Sequence, residues 1–67
     1  MELSARNQLN GEVVRVQSGT IMAEVEVKIG AGSVVAAITD GSLKRLGIKT
    51  GDRVTVIIKA TEVMIGK

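Results

Sequence analysis

The stretch Ser4-Ala5-Arg6-Asn7-Gln8-Leu9 gathers a hydroxyl, a guanidinium and two side-chain amides just before the first apolar alternation of the chain. Hydrogen-bond donors dominate it, with Glu2 the acid nearby, and such a set suits a small oxyanion better than a metal cation or an apolar ligand. Taken singly, Arg6 and Asn7 equally fit solvated residues at a strand entry. Catalysis has little to work with, because the chain has no His and no Cys. The usual general base, the usual metal ligands and the thiol nucleophile are therefore missing. Glu24 and Glu26 share the wet face of a strand, and Asp40, Asp52 and Glu62 fall near turns or strand ends, so these carboxylates read as solvated charge and not as an acid/base pair. Gly30-Ala31-Gly32 joins two strands and lacks the strand-loop-helix context of a phosphate loop. The expectation is a binding protein, not an enzyme, with no side chains ligating a metal directly.

Burying a tetrahedral dianion costs its hydration energy, so several cations and N–H or O–H donors must converge to replace the lost water. The Ser4 to Leu9 stretch, together with Lys59-Ala60-Thr61-Glu62-Val63-Met64 near the C-terminus, resembles the signature of the molbindins, the small Mop-type molybdate-binding proteins built on the TOBE domain. The resemblance covers essentially all 67 residues. It implies a site between subunits that draws on Ser4, Arg6 and Asn7, on Lys59, Ala60 and Thr61, and on Thr39 and Ser42 of the partner chain. In that site Arg6 and Lys59 would neutralise the anion, Ser4, Thr39 and Ser42 would donate hydroxyls, and Ala60 would offer its backbone N–H. Arg45, one turn beyond Ser42, ranks below Arg6 and Lys59, since many relatives carry an acid near this position. The ligand implied is molybdate, with tungstate as a close mimic, held for storage or buffering. A homohexamer arranged as a trimer of dimers is implied in the same way. From the residues alone the ligand is a small tetrahedral dianion and no more.

The elements that must position these groups are short strands. Leu9 to Val16 reads as a strand with Gly11 as a bulge or bend, and Ser18-Gly19 turns the chain. From Thr20 to Ile29 the alternation is cleanest, with Ile21, Ala23, Val25, Val27 and Ile29 on one face and Met22, Glu24, Glu26 and Lys28 on the other. Gly30-Ala31-Gly32 forms a three-residue hairpin loop and Ser33 to Thr39 the third strand. Asp40 or Ser42 caps a short helix, Gly41 to Leu46, with Leu43 and Leu46 on one face, and Gly47 ends it. The free N–H groups around Asp40 to Ser42 suit an anion, although an Asp40 carboxylate turned toward them would oppose one. Arg53 to Ala60 is the fourth strand and Thr61 to Ile65 a short fifth. The pattern predicts an all-β, five-stranded OB-like Greek-key barrel with one short helix between strands 3 and 4, a Src-homology-3-like barrel being the structural alternative. Residues 1–67 read as a single module, without internal repeat or linker.

A chain this short buries only about 60% of the surface exposed when unfolded. It has no aromatic residue and no cysteine to reinforce the core, so assembly with copies of itself is the remaining route. Val35, Ala37 and Ile57 place apolar groups on the second face, as burial against a neighbouring subunit requires. Nine Lys and Arg against seven Asp and Glu leave a net charge of only +2, which does not point to nucleic acid. Without aromatic rings to stack on bases, a nucleic-acid-binding OB-like barrel is a minor alternative, as is a purely structural oligomerisation module. No apolar run approaches the ~20 residues of a membrane span, and Met1-Glu2-Leu3 does not begin a signal peptide. The expected location is cytoplasmic.

Overall fold

The architecture turns on one long strand that serves two partners. The structure, a computed structural model, describes residues 6–67. Strand β1 (Asn7–Gln17) pairs antiparallel with β4 (Arg53–Ile58) through its first half, from Asn7 opposite Ile58 to Glu12 opposite Arg53. Its second half pairs antiparallel with β2 (Met22–Ile29), from Glu12 opposite Lys28 to Gln17 opposite Glu24. Strand β3 (Gly32–Thr39) completes the meander, giving the order β3-β2-β1-β4 in one curled antiparallel sheet.

Gly11 stands at the crossing. A Cβ there would lie 2.5 Å from the Lys28 carbonyl oxygen and 2.6 Å from Val27 Cγ1, so only a glycine lets the end of β2 fold so closely over β1. The bulge expected at Gly11 lies instead at Val14, where the register slips between Val13 opposite Val27 and Arg15 opposite Glu26. An extra residue of this kind raises the local twist. Together the close approach and the bulge curl the sheet around its apolar face.

That face carries the core. Val13, Ala23, Val25, Val27 and Leu43 are buried, with Val16, Ile29, Ile38, Ile48, Val54 and Val56 packed against them. The alternation of the second strand therefore holds from Ala23 to Val27, while Ile21 lies outside β2 and is 74% exposed. On the outer face Arg15 reaches Glu26 at 3.1 Å, Glu24 at 3.2 Å and Gln17 at 3.1 Å, which ties the bulged strand to β2.

The β2–β3 loop has two residues, Gly30 and Ala31, because Ile29 pairs directly with Gly32. Gly30 has φ 52°, the left-handed value that a tight hairpin asks of its first loop position. Helix α1 (Asp40–Leu46) is capped by Thr39, not by Asp40 or Ser42: the Ser42 N–H donates to Thr39 Oγ1 at 3.1 Å. At the other end Gly47, with φ 64°, and Ile48 donate back to Lys44 and Leu43 carbonyls, closing the helix as a left-handed glycine does. Leu43 is buried but Leu46 is 65% exposed, so the helix rests on one leucine and not on two. The turn before β4 grips the middle of β1, with Val13 N–H donating to Asp52 O and Gly51 N–H to Val13 O, both at 2.8 Å.

The fifth strand is absent from the described residues. β4 stops at Ile58, and Ala60–Glu62 form a single 3₁₀ turn fixed by the Glu62 N–H to Lys59 O bond at 2.9 Å. Beyond it Val63, Met64 and Ile65 run past the sheet without pairing, the last two 92% and 90% exposed. A strand needs an edge to pair with, and this tail finds none among the described residues of its own chain. Beside the sheet, an apolar cavity of about 230 Å³ opens between Val25, Ile38, Ile48, Val54, Val56 and the exposed Leu46 and Ile57. Among the described residues the fold is thus an all-β, curled antiparallel sheet of four strands with one short α-helix.

Candidate functional site

The register of β1 against β4 decides where the terminal motifs meet. Asn7 lies opposite Ile58 in the last pair of the ladder, so Arg6 and Lys59 are the residues that follow just outside it on the two strands. Lys59 initiates the 3₁₀ turn, and Ala60 and Thr61 within it are exposed. Arg6 and Lys59 are exposed as well, and among the described residues neither forms an ion pair. Both cations leave the same end of the ladder, and like charges that approach one another repel. An anion lying between them would relieve that repulsion. Ser4, the remaining member of the N-terminal motif, lies outside the described residues.

Thr39, Ser42 and Arg45 form a second cluster. Thr39 Oγ1 donates to Ser42 Oγ at 2.8 Å while accepting from the Ser42 N–H, and Arg45 Nη2 donates to the same Ser42 oxygen at 3.4 Å. With its oxygen already accepting, the Ser42 hydroxyl is oriented to donate outward. Arg45 therefore belongs geometrically with Thr39 and Ser42. The free N–H groups expected around Asp40 to Ser42 are mostly engaged: the Asp40 N–H donates to Ile21 O at 2.7 Å, and the Ser42 N–H serves the cap. Hydroxyls and the Arg45 guanidinium are what this end offers a ligand.

Asp40 does not face outward with them. It is buried, with Oδ1 accepting from Ser18 Oγ at 2.6 Å and Oδ2 paired with Lys44 Nζ at 3.0 Å. The Ser18 hydroxyl, and after it Lys44, hold the Asp40 carboxyl below its ordinary range. The spacing of Asp40 and Lys44 at i and i+4 was legible in the sequence, but the partnership with Ser18, 22 positions earlier, was not.

The two clusters lie at opposite ends of β1. Asn7 begins the strand beside Ile58, whereas Gln17 ends it beside Glu24 on the strand that leads through Met22 to Thr39. Eleven residues at ~3.3 Å each make a strand at most about 30 Å long, and the bulge and curl of β1 shorten the straight distance between its ends. A single chain therefore places Arg6, Asn7, Lys59, Ala60 and Thr61 around one end of β1, and joins Thr39, Ser42 and Arg45 by hydrogen bonds beyond its other end. Among the described residues no three His, Cys, Asp or Glu side chains gather to hold a metal ion.

A small curled antiparallel sheet with one short helix and polar donors at its strand ends has the form of a TOBE domain, and the model of that domain matches residues 3–65. The chain belongs to the TOBE domain family, within which it resembles the small Mop-type proteins. It is 47% identical over 66 residues to molybdenum-pterin-binding protein 3 of Clostridium pasteurianum, covering 97% of each chain. Among solved structures, a molybdate-binding protein from Sporomusa ovata superposes with a TM-score of 0.95 at 39% identity, each chain covered completely. MopII from Clostridium pasteurianum superposes with a TM-score of 0.92 at 40% identity, covering 98% of this chain and all of the other. The resemblance to molbindins read from the terminal motifs is borne out.

Proposed function

We propose that this chain is a molybdate-binding protein, taking tungstate as a close mimic, and that it stores or buffers the anion in the cytoplasm. Residues 1–67 act as one oxyanion-binding domain that does no catalysis. The observation that carries the reading is the pairing of β1 with β4, which leaves Arg6 and Lys59 exposed at the same end of the ladder without an ion pair among the described residues. The names of the similar proteins supply the metal.

The site forms between subunits. Ser4, Arg6, Asn7, Lys59, Ala60 and Thr61 come from one chain, and Thr39, Ser42 and, with a smaller share, Arg45 come from its partner. The separation of the two clusters within one chain supports that division. Assembly also accounts for the exposed Val63, Met64 and Ile65 and for the unfilled apolar opening beside β4. In the assembled protein, a homohexamer built as a trimer of dimers, the tail supplies the fifth strand of an OB-like barrel on a neighbouring copy. No helix of the described residues is long and apolar enough to cross a membrane.

Isothermal titration with molybdate, tungstate, sulfate and phosphate tests the ligand, with tight binding of the first two expected. Equal affinity for sulfate would overturn the assignment. A purely structural module would bind none of the four, and a nucleic-acid-binding barrel would instead shift an oligonucleotide in a gel. Native mass spectrometry tests the assembly, and a stable monomer at micromolar concentration would remove the intersubunit site.

A further inference from the structure

Asp40 is the buried charged side chain of the described residues, and it lies next to Thr39 and two positions from Ser42. Its bonds run in two directions. The Ser18 hydroxyl at 2.6 Å and the Asp40 N–H to Ile21 O bond at 2.7 Å fasten the β1–β2 loop to the junction of β3 and α1. The Lys44 ammonium at 3.0 Å meets the other carboxylate oxygen. A carboxylate is a strong acceptor for the Ser18 hydroxyl, and so a good fastening for a loop. It is also a negative charge beside hydroxyls that are to receive a dianion.

We propose that Lys44 is a charge-compensating residue of the oxyanion site: it neutralises Asp40, so that the carboxylate can fix the loop beneath Thr39 and Ser42 without repelling the ligand. This inference rests on the oxyanion reading above. The pair leaves the junction close to neutral and Arg45 as the cation that reaches Ser42. Lys44 itself is 76% exposed and turned to Asp40, so its influence on the ligand acts through the carboxylate. Lys44 is exposed but its Asp40 partner is buried, so a melt of each variant is what separates an effect on binding from an effect on folding.

The test is molybdate titration of the intact assembled protein as parent, Lys44→Met, Asp40→Asn and the double variant, at low and high salt, with a thermal melt of each. Lys44→Met should weaken binding about three- to tenfold at low salt, the size expected of one uncompensated charge a few ångströms away, and the loss should shrink as salt screens it. Adding Asp40→Asn to Lys44→Met should restore affinity to near the parent value even where the melt is lower. Asp40→Asn alone should bind at least as tightly as the parent. Unchanged binding by Lys44→Met would overturn the proposal, as would a double variant as weak as Lys44→Met, which would make Lys44 a direct contact of the anion. A parent that binds no oxyanion would overturn the functional reading and this inference with it, whereas tight binding by the parent beside an unaffected Lys44→Met would overturn the inference alone.

Discussion

The two ends of β1 are built on different physical terms. Around Thr39, Ser42 and Arg45, the polar atoms are ordered by bonds within the chain: a cap, a hydroxyl pair, a guanidinium on the same oxygen, and a buried carboxylate fastening the loop behind them. Around Arg6 and Lys59, the cations are exposed and flank the same end of the β1–β4 ladder, with no ion pair among the described residues. In the proposed site the first end would meet a ligand with little left to order, so its contribution would be orientation. The second would supply charge. The difference teaches that binding strength should reside with the cations and fit with the hydroxyls.

The largest effect should come from the charged end. Arg6→Ala or Lys59→Ala removes a charge-assisted hydrogen bond worth about 1.5–3 kcal/mol, and so roughly tenfold to a hundredfold in affinity. Lys67→Ala should change affinity very little. Calorimetric titration of the three variants measures the contrast, and equal affinity across them in folded oligomers would move the site elsewhere.

Next comes the crossing that holds the two ends in one sheet. Gly11→Ala sets a methyl group 2.5 Å from the Lys28 carbonyl, and because that atom is backbone the strands must part. A loss of about 1–3 kcal/mol of stability follows, in the range of overpacked cores. Thermal and urea melts report it, and an unchanged midpoint would show that β2 yields there without cost.

At the ordered end the expected losses are smaller. Thr39→Ala removes the cap of α1 and should cost about 1 kcal/mol of stability, with a modest loss of affinity, while Thr39→Ser should keep most of both. If Thr39→Ser were as weak as Thr39→Ala, the methyl group and not the hydroxyl would be what matters.

The smallest effect concerns pH. The Ser18 hydroxyl and then Lys44 hold the Asp40 carboxyl below its ordinary range, so the folded chain binds a proton there less readily than the unfolded chain. That contribution is fully present above the unfolded value of about 3.9 and is lost as pH falls through the lower folded value. Melts between pH 2 and 5 should therefore show parent and Asp40→Asn converging toward the acid end. From about pH 6 to 8 molybdate affinity should be nearly flat, since the chain has no His to titrate there and binding is assigned to Arg6 and Lys59. A strong pH dependence in that window would contradict the assignment of binding to these cations.

By itself the sequence placed four of the five strands it predicted, the helix stop and the family of the chain. Alternation from Ala23 to Val27 fixes a strand with one buried face, because side chains on a pleated backbone point alternately to either side. Gly47 ends the helix because a left-handed residue is needed there, a local requirement that a single residue type declares. The terminal motifs announced the family because their residue types and spacing match its signature. Tertiary structure decided everything that depends on which segments lie side by side. The reason Gly11 is a glycine is the end of β2 lying over it, and the bulge belongs to Val14 because that is where β1 twists to stay paired with β2. Thr39 won the cap over Asp40 because Ser18, far away in sequence, draws the Asp40 carboxylate elsewhere. The tail from Val63 to Ile65 carries a strand-like sequence but no strand, since a strand exists only when an edge is there to pair with it. Propensity is local and pairing is not, and the separation of the two donor clusters along β1 follows from pairing alone.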